Sequence, residues 1–335
     1  MDNMKKVYLA LATVAACSSA QAMEVYNNGD ASLSIGGYVE AEGVFTDNEA
    51  TDENSFDGTA KQSRVNVKAS KMVNGQKVTG VVEGDFYGTG NKTFRLRHAY
   101  MQAGNYTLGQ TWSGQFLSVY PQLSEQVDFA NTAIGTMGAG NVRPDLVLHY
   151  ANNGVRLTAQ DPAYNDANYP DLLASYTGKA GNLGYNIAAM AREAQSDAND
   201  SEMGYGVSLA GKYKIGNGSL HASAFTGEGV APYSNVGVGG YKTKVDYEDG
   251  ELVSQVGYTV GYKQQLTDKL RGNLYYGAVD VDDKADSSIQ YVSANMIYAY
   301  APEIDFGVEV RQLTNETAGN SNDTQQVELS AKYKF

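Results

Sequence analysis

Apolar and polar residues alternate one by one along many segments of this chain. In the segment 33–45 every odd position is apolar or glycine, whereas Glu40 and Glu42 stand at even positions. Because successive side chains of a strand point to opposite faces, a period of two predicts a β-strand with one apolar face. The same period recurs in the segments 78–86, 183–191, 205–213, 256–262, 304–310 and 327–335. The pattern therefore predicts an all-β protein.

Short and long connections separate these segments in regular alternation. The short ones are rich in residues that favour tight hairpins, and they lie at 74–75, 104–105, 152–154, 179–182, 216–218, 267–268 and 301–303. The longer polar links lie at 47–61, 113–143, 161–169, 194–203, 228–250, 282–286 and 314–323, with a shorter one at 88–92. This arrangement predicts about 16 antiparallel strands, with roughly 14 or 18 as alternatives, joined by periplasmic turns and extracellular loops.

The apolar faces of these strands carry no charge and are rich in Gly, Ala and Tyr. A Lys or Arg that faces lipid at mid-depth costs about 2–4 kcal/mol, so a lipid-facing surface excludes such residues and a wet lumen tolerates them. A soluble sandwich would instead fill its apolar face with bulky Leu, Ile and Phe. The pattern predicts a transmembrane antiparallel β-barrel with a water-filled lumen.

The first 22 residues have the features of a signal peptide. Lys5 and Lys6 precede a short apolar run at 7–16, and Ala20-Gln21-Ala22 offers small residues for cleavage. We therefore expect a signal peptide at 1–22 and a barrel domain at 23–335. A competing interpretation is a lipoprotein box that ends at Cys17, the one cysteine of the chain.

Composition excludes several classes of protein. The net charge of −13 argues against nucleic acid as a partner. No stretch after the signal reaches the 18 apolar residues that a spanning helix requires, which excludes a helical membrane protein.

Candidate sites of chemistry are weak in the sequence. His98, His149 and His221 stand alone, without the spacing of a metal site, so we predict no metal and no cofactor. By parity His98 lies on the apolar face, where we expect a contact between subunits. No Gly-x-Ser-x-Gly elbow and no catalytic triad can be identified, so we predict that the chain is not an enzyme.

Two groups of motifs resemble DcaP-like trimeric porins, within the general porin superfamily of Gram-negative bacteria. The first group is Glu83-Gly84-Asp85-Phe86, Leu96-Arg97-His98-Ala99-Tyr100 and Leu108-Gly109-Gln110-Thr111-Trp112-Ser113, followed by Asp128-Phe129 and Arg143-Pro144. The second is Asn295-Met296-Ile297-Tyr298, Pro302-Glu303, Phe306-Gly307-Val308-Glu309 and the terminal Tyr333-Lys334-Phe335. The resemblance implies an outer-membrane homotrimer of barrels with three independent pores. It also implies that the long third loop folds into each lumen.

The resemblance implies that the longest link, 113–143, is the constriction loop. A structureless loop of this size is uncommon unless functional. The link carries the acids Glu125 and Asp128 and the glycines Gly135, Gly138 and Gly140. Basic residues that face acids across a narrow passage create a field that orients solutes and raises anion occupancy. The candidate basic residues are Arg64, Lys68, Arg95, Arg97, Arg143 and Arg156. The alternative is that these arginines only neutralise lumen acids such as Glu83 and Asp85.

The predicted function is passive diffusion of small hydrophilic solutes and ions through a porin in the outer membrane of a Gram-negative bacterium. The expected partners are these solutes, outer-membrane lipid and further copies of the chain. Two alternatives stay open: a channel selective for small organic anions such as carboxylates, and an outer-membrane barrel enzyme.

Overall fold

Strands make up most of the computed structural model, which describes residues 22–51, 53–88, 93–127, 134–163, 167–195, 201–234 and 246–335. The strands are β1 (Met23–Asn27), β2 (Ala31–Asn48), β3 (Glu53–Thr59), β4 (Arg64–Val73), β5 (Gln76–Asp85), β6 (Arg95–Ala103), β7 (Tyr106–Gln110), β8 (Val147–Asn152), β9 (Val155–Gln160), β10 (Asp171–Ala180), β11 (Leu183–Gln195), β12 (Ser201–Ile215), β13 (Gly218–Glu228), β14 (Tyr247–Glu248), β15 (Glu251–Leu252), β16 (Ser254–Gln265), β17 (Leu270–Val281), β18 (Ser287–Ala301), β19 (Ile304–Thr317) and β20 (Asn320–Lys334). Within these ranges, an α-helix, α1 (Gly114–Val119), continues into a 3-10 turn at Tyr120–Gln122, and another 3-10 turn lies at Ala231–Tyr233. None of the helices in these ranges is long and apolar enough to cross a membrane.

The strands form a closed ring in which each neighbour runs antiparallel. The ring closes where β20 pairs with β2 over Tyr38–Asn48. Both β3 and β4 pair with β2, so together they form one interrupted strand of the wall. The short β1 pairs with the beginning of β2 and thereby extends the position of β20. Apart from the separate β14–β15 hairpin, the pairings give a barrel of sixteen strands, as the sequence predicted.

The alternation of the sequence separates an outer from an inner surface. On β12 the odd positions Val207 and Leu209 are 52% and 57% exposed on the outside, whereas Ser208 between them is 3% exposed. The hairpins at 74–75, 104–105, 181–182, 216–217 and 302–303 are as short as predicted. A closed ring satisfies the backbone hydrogen bonds of every strand, so the sheet has no free edge.

The predicted long link at 314–323 is wrong. Here β19 continues to Thr317 and β20 begins at Asn320, with a two-residue turn at Ala318–Gly319. Both turn residues have positive φ angles, 52° and 75°, which is the geometry of a tight type I′ hairpin. Beyond the bilayer a strand meets water on both faces, so its residues lose the apolar alternation by which the sequence marks a strand.

The described parts of two segments fold inward into the lumen. The first is the predicted constriction loop between β7 and β8, and the second connects β13 to β16. Inward side chains of the wall pack with both segments in one apolar cluster, which consists of Ile134, Met137, Leu173, Met190, Phe225, Val230, Tyr233, Val253, Tyr275, Val279, Val281, Ile289, Tyr291 and Leu313. Four strands that contribute to this cluster, β13, β17, β18 and β19, also line the open part of the lumen, at positions nearer to their short turns.

The wall differs in height around the barrel. The strands β7, β8 and β9 contain 5, 6 and 6 residues, whereas β12 and β18 contain 15 each. A strand needs about 9–11 residues to cross the hydrocarbon core. We call β7–β9 the short wall.

Candidate functional site

The constriction loop leaves and re-enters the wall at a fixed neck. Ser113 N donates to Val142 O at 2.8 Å, which joins the two ends of the loop. The Ser113 hydroxyl accepts from Gln115 N at 3.2 Å as the N-cap of α1, and it donates to Gln160 Oε1 at 3.1 Å. This serine therefore starts the helix and ties it to β9.

The middle of the loop is tied to the far wall by Glu125. Arg271 grips its carboxylate with two bonds of 2.9 and 2.7 Å, and Lys263 Nζ adds a third at 2.5 Å. Burial raises the pKa of Glu125, but the hydrogen bond and charge of Arg271 and the charge of Lys263 outweigh it and lower the pKa to about 2. The loop carboxylate is therefore ionised across the physiological range. Asp305 extends the group, with bonds to Lys334 at 2.7 Å and to Arg271 at 3.4 Å.

The glycines of the loop serve close packing. Gly135 has a φ of 85°, and a Cβ on it would lie 2.2 Å from Tyr258 O. A Cβ on Gly140 would lie 2.1 Å from Pro232 O in the second inward segment. Only glycine lets the loop backbone approach the wall and its neighbouring segment this closely.

An open cavity of about 480 Å³ lies between the loop and the opposite wall. Its charged lining consists of six basic residues and three acids: Arg64, Lys212, Lys263, Arg271, Lys332 and Lys334, with Glu40, Glu125 and Asp305. Each acid is already held by a basic neighbour, and the Glu40–Lys332 distance is 2.8 Å. The lining therefore carries an excess of positive charge in a chain whose net charge is −13.

Three predicted arginines meet two carboxylates on the wall itself. Arg97, only 2% exposed, binds Glu83 at 3.0 Å and Asp85 at 2.7 Å. Arg95 grips Asp85 with bonds of 3.0 and 2.7 Å, and Arg64 lies 3.5 Å from Glu83. We call these five residues the wall cluster, and we call Glu125, Lys263, Arg271, Asp305 and Lys334 the loop cluster.

A β-bulge on β6 overturns one expectation. Glu83 pairs with His98 and Gly84 with Leu96, so Arg97 is the extra residue. A bulge changes the parity of a strand, and it places Arg97 and His98 on the same, inward face. The expectation that His98 faces another subunit is therefore wrong: its ring lies 4.9 Å from that of Trp112, and its Nδ1 lies 3.1 Å from Thr111 Oγ1.

The structure brings some of the predicted site residues together and separates others. Arg64 and Glu125 line the cavity, whereas Arg95 and Arg97 do not. The Arg143 guanidinium lies 5.2 Å from the centre of the Trp112 ring. Burial, and after it the neighbouring guanidinium groups, lower the pKa of Arg143 below its ordinary value.

The remaining candidates lie elsewhere or outside the described ranges. Arg156 lines a smaller cavity of about 50 Å³ behind α1. Lys68 is exposed on β4 and is not among the residues that line either cavity. Asp128 lies outside the described residues.

Sequence reasoning missed most of the charges that line the cavity. Alternation placed Lys212, Lys263, Asp305 and Lys332 on polar faces, but it carries no information about their height in the barrel. Arg271 follows a turn and belongs to no alternating segment that was recognised. Among the described residues, no group of three or more His, Cys, Asp or Glu is arranged to hold a metal ion.

Comparisons with known proteins agree with this geometry. Residues 9–335 match the Gram-negative porin family. The porin-like protein L of Photobacterium profundum is 30% identical over 201 residues, a match that covers 56% of the chain and about half of the relative, 55%.

Solved porin structures share the barrel over almost its whole length. The outer membrane channel DcaP of Acinetobacter baumannii superposes with a TM-score of 0.78 at 25% identity, covering 92% of this chain and 99% of that one. An anion-selective porin from Comamonas acidovorans gives a TM-score of 0.71 at 13% identity, with 91% and 100% covered. The trimer form of OmpT from Vibrio cholerae gives 0.65 at 14% identity, again with 91% and 100% covered. The chain thus belongs to the Gram-negative porin family, and it forms a channel in the outer membrane.

Proposed function

We propose that this porin prefers anions and passes small organic carboxylates by passive diffusion. The observation that carries the proposal is the lining of the cavity, where six basic residues face three acids that are already paired. The excess positive charge raises the local concentration of anions in a narrow passage with low-dielectric walls.

The basic groups are also arranged to bind a passing anion weakly, so that the anion is released again. Lys332 and Lys334 each share a carboxylate within 2.8 Å, so they attract a passing anion without offering it a fully free charge. Lys212 also lines the cavity, from β12, which is several strands away from β20 around the ring. A solute therefore meets several moderate sites instead of one deep one, which favours permeation over trapping.

The likeness to other porins supports this proposal. The Comamonas acidovorans structure of the same fold is described as anion-selective. The sequence motifs that resemble DcaP-like porins point to the same class of solute. Passive diffusion requires no cofactor and no catalytic group in the lumen.

Reversal potentials across planar bilayers test the preference. Under a KCl gradient we expect a potential of anion-selective sign, which Lys212→Gln reduces and Lys212→Glu reduces further. The matched control is Lys284→Gln, because Lys284 lies on an extracellular loop with its side chain 62% exposed. A cation-selective potential in the wild type contradicts the proposal, as does an equal shift in the control.

We further propose that the channel is a homotrimer whose copies meet at the short wall. Its strands are too short to match the hydrocarbon core of about 30 Å, yet Leu108, Leu148 and Leu157 are 38–50% exposed on its outer face. Contact with a second copy would cover these side chains where full-thickness lipid does not fit. The trimer form of OmpT, which has the same fold, supports this assembly.

Cysteine cross-linking tests this interface, since the proposed mature chain has no cysteine. Treatment of Leu148→Cys with a short bifunctional maleimide is expected to link two subunits covalently. Leu209→Cys, on the tall wall and 57% exposed, is expected to give none. Equal cross-linking at both positions, or none at Leu148, argues against the short wall.

The segment 1–22 is proposed to be removed as a signal peptide on export. The mass of the mature protein isolated from the outer membrane is expected to equal that of a chain that begins at Met23. A lipid-modified N-terminus at Cys17 is the outcome that overturns this assignment.

A further inference from the structure

All three histidines of the chain contact the constriction loop or the two residues before it, Thr111 and Trp112, which are counted with the loop from here on. His98, His149 and His221 are 2%, 4% and 3% exposed, and they lie on three different strands, β6, β8 and β13. Their partners on the loop all fall between Thr111 and Gln122, the segment that contains α1 and the 3-10 turn.

Two of these histidines bind backbone carbonyls at the two ends of this segment. His149 Nε2 lies 3.0 Å from Trp112 O, at the start of the segment. His221 Nδ1 lies 2.7 Å from Gln122 O, at its end. Because a carbonyl only accepts, each of these ring nitrogens must carry the proton.

The second nitrogen of each ring fixes the neutral form. His149 Nδ1 lies 2.7 Å from Thr158 Oγ1, and His221 Nε2 lies 2.7 Å from Ser219 Oγ. In a neutral imidazole the second nitrogen accepts, so the two hydroxyl groups donate. Both rings are therefore fully satisfied when neutral, and protonation removes an acceptor from a buried hydroxyl.

The charged surroundings also oppose protonation. His221 pairs across the sheet with Lys212, and Lys263 lies on the next strand. The nearby acid of the loop, Glu125, is already bound by Arg271 and Lys263. The charged group that faces His149 is Arg156. A positive charge on either ring would thus be repelled by these basic neighbours.

The segment between Trp112 and Gln122, which the two histidines hold and which we call the clamped segment, shapes the passage. Its rings Trp112, Phe116 and Tyr120 stack at centroid distances of 4.6 and 5.0 Å, and Trp112 and Tyr120 line the cavity. A change in the hold at Trp112 O or Gln122 O therefore moves residues that face the permeating solute.

We propose that His149 and His221 are positioning residues for the constriction, and that their protonation loosens the clamped segment and closes the channel intermittently in acid. In neutral solution both rings hold the segment between Trp112 and Gln122. As the pH falls, protonation charges the rings and removes their acceptor nitrogens, so the hold weakens.

Single-channel recording between about pH 8 and pH 4 tests this proposal. The wild type is expected to show brief closures that become about tenfold more frequent in acid, as a penalty of one pKa unit would give. The Glu125 tie does not interfere, because the pKa of this residue is about 2.

Matched variants separate titration from packing. Asn places a donor near the position of Nδ1 and Gln near that of Nε2, and neither titrates. His149→Gln combined with His221→Asn is therefore expected to lose the acid response and stay open at neutral pH. His221→Leu removes the donor and is expected to show frequent closures already at pH 8.

The third histidine supplies the control. Among the described residues, the contacts of His98 with the loop are to side chains, Thr111 Oγ1 and the Trp112 ring, so His98→Gln is expected to keep the acid response. The proposal is overturned if the wild type shows no acid-dependent closures, or if the Gln/Asn double variant keeps them. If His221→Leu does not assemble into a barrel, the wild-type titration and the double variant still decide the outcome.

Discussion

The wall cluster and the loop cluster are built from the same groups but differ in what they hold together. In the wall cluster, Arg97 binds Glu83 and Asp85, which lie 14 and 12 residues away on the neighbouring strand. In the loop cluster, Arg271 binds Glu125 across 146 residues. The bonds of Arg97 join adjacent strands and are buried, whereas those of Arg271 join a loop to a wall and face the passage.

The comparison teaches that an arginine–carboxylate pair in a barrel lumen has no single role. Arg97 is 2% exposed, and buried carboxylates neutralise its charge, so it contributes little to the electric field in the passage. The Arg271 side chain is 17% exposed and that of Glu125 is 32% exposed, and both line the cavity. We expect the wall cluster to govern stability and the loop cluster to govern conduction.

The largest effect is expected for Arg97→Met. Removing one partner of a buried ionic group leaves Glu83 and Asp85 with too little positive charge, which typically costs about 3–5 kcal/mol. The free energy of unfolding in urea, measured in lipid vesicles, checks this value. The reversal potential is expected to change little, since Arg97 does not line the cavity. A large shift in selectivity with unchanged stability would reverse the roles assigned to the two clusters.

Glu125→Gln is expected to have a smaller effect on stability and a larger one on conduction. The variant weakens charge-assisted bonds to Arg271 and Lys263, each worth about 1.5–3 kcal/mol at most, in a setting that is partly open to water. It also leaves two acids in the lining instead of three. We expect a reversal potential of stronger anion selectivity and more open-channel noise. An unchanged current trace would show that Glu125 does not position the loop.

The same carboxylate gives a dependence on pH with a definite sign. The pKa of Glu125 falls from 4.5 to about 2 on folding, because Arg271 and Lys263 stabilise its charged form. Its contribution to stability is therefore complete above pH 4.5 and is lost as the pH falls towards about 2. The difference in unfolding free energy between the wild type and Glu125→Gln is expected to shrink in this window. A difference that stays constant would contradict the assigned tie.

Local patterns predicted the wall, and the reasons are physical. Alternation depends only on neighbouring residues, so it gave the strands, the short turns and the outward side of residues such as Leu209. Arg97 and Glu83 could be nominated because both stand on polar faces of one hairpin. The bulge at Arg97 could not be predicted, since one extra residue leaves no mark in composition, and it reversed the side of His98.

Contacts across the lumen could not be predicted from the sequence. The residues around Arg271 in the sequence do not indicate that it binds Glu125, because the position of the loop depends on its packing against several strands. The glycines of the loop indicated conformational freedom. In the structure Gly135 and Gly140 are tightly packed instead, since a Cβ added to either would lie within 2.2 Å of a backbone oxygen. The inward fold of the segment between β13 and β16 was not predicted, although the apolar Val230 was visible in the polar link 228–250.

The smallest effect is expected for Arg95→Gln, and it tests the boundary of the wall cluster. The Arg95 side chain is 37% exposed, unlike that of Arg97 at 3%. Asp85 keeps Arg97 at 2.7 Å and the Tyr87 backbone N–H at 3.1 Å when Arg95 is removed. A partly solvated ion pair contributes about 0–1 kcal/mol, so a loss of this size is expected in the unfolding free energy. Lys68→Gln, an exposed position outside the cluster, is the matched control, for which we expect a change within about 0.5 kcal/mol. If Arg95→Gln costs as much as Arg97→Met, the wall cluster acts as one unit, and burial does not determine the contribution of its members.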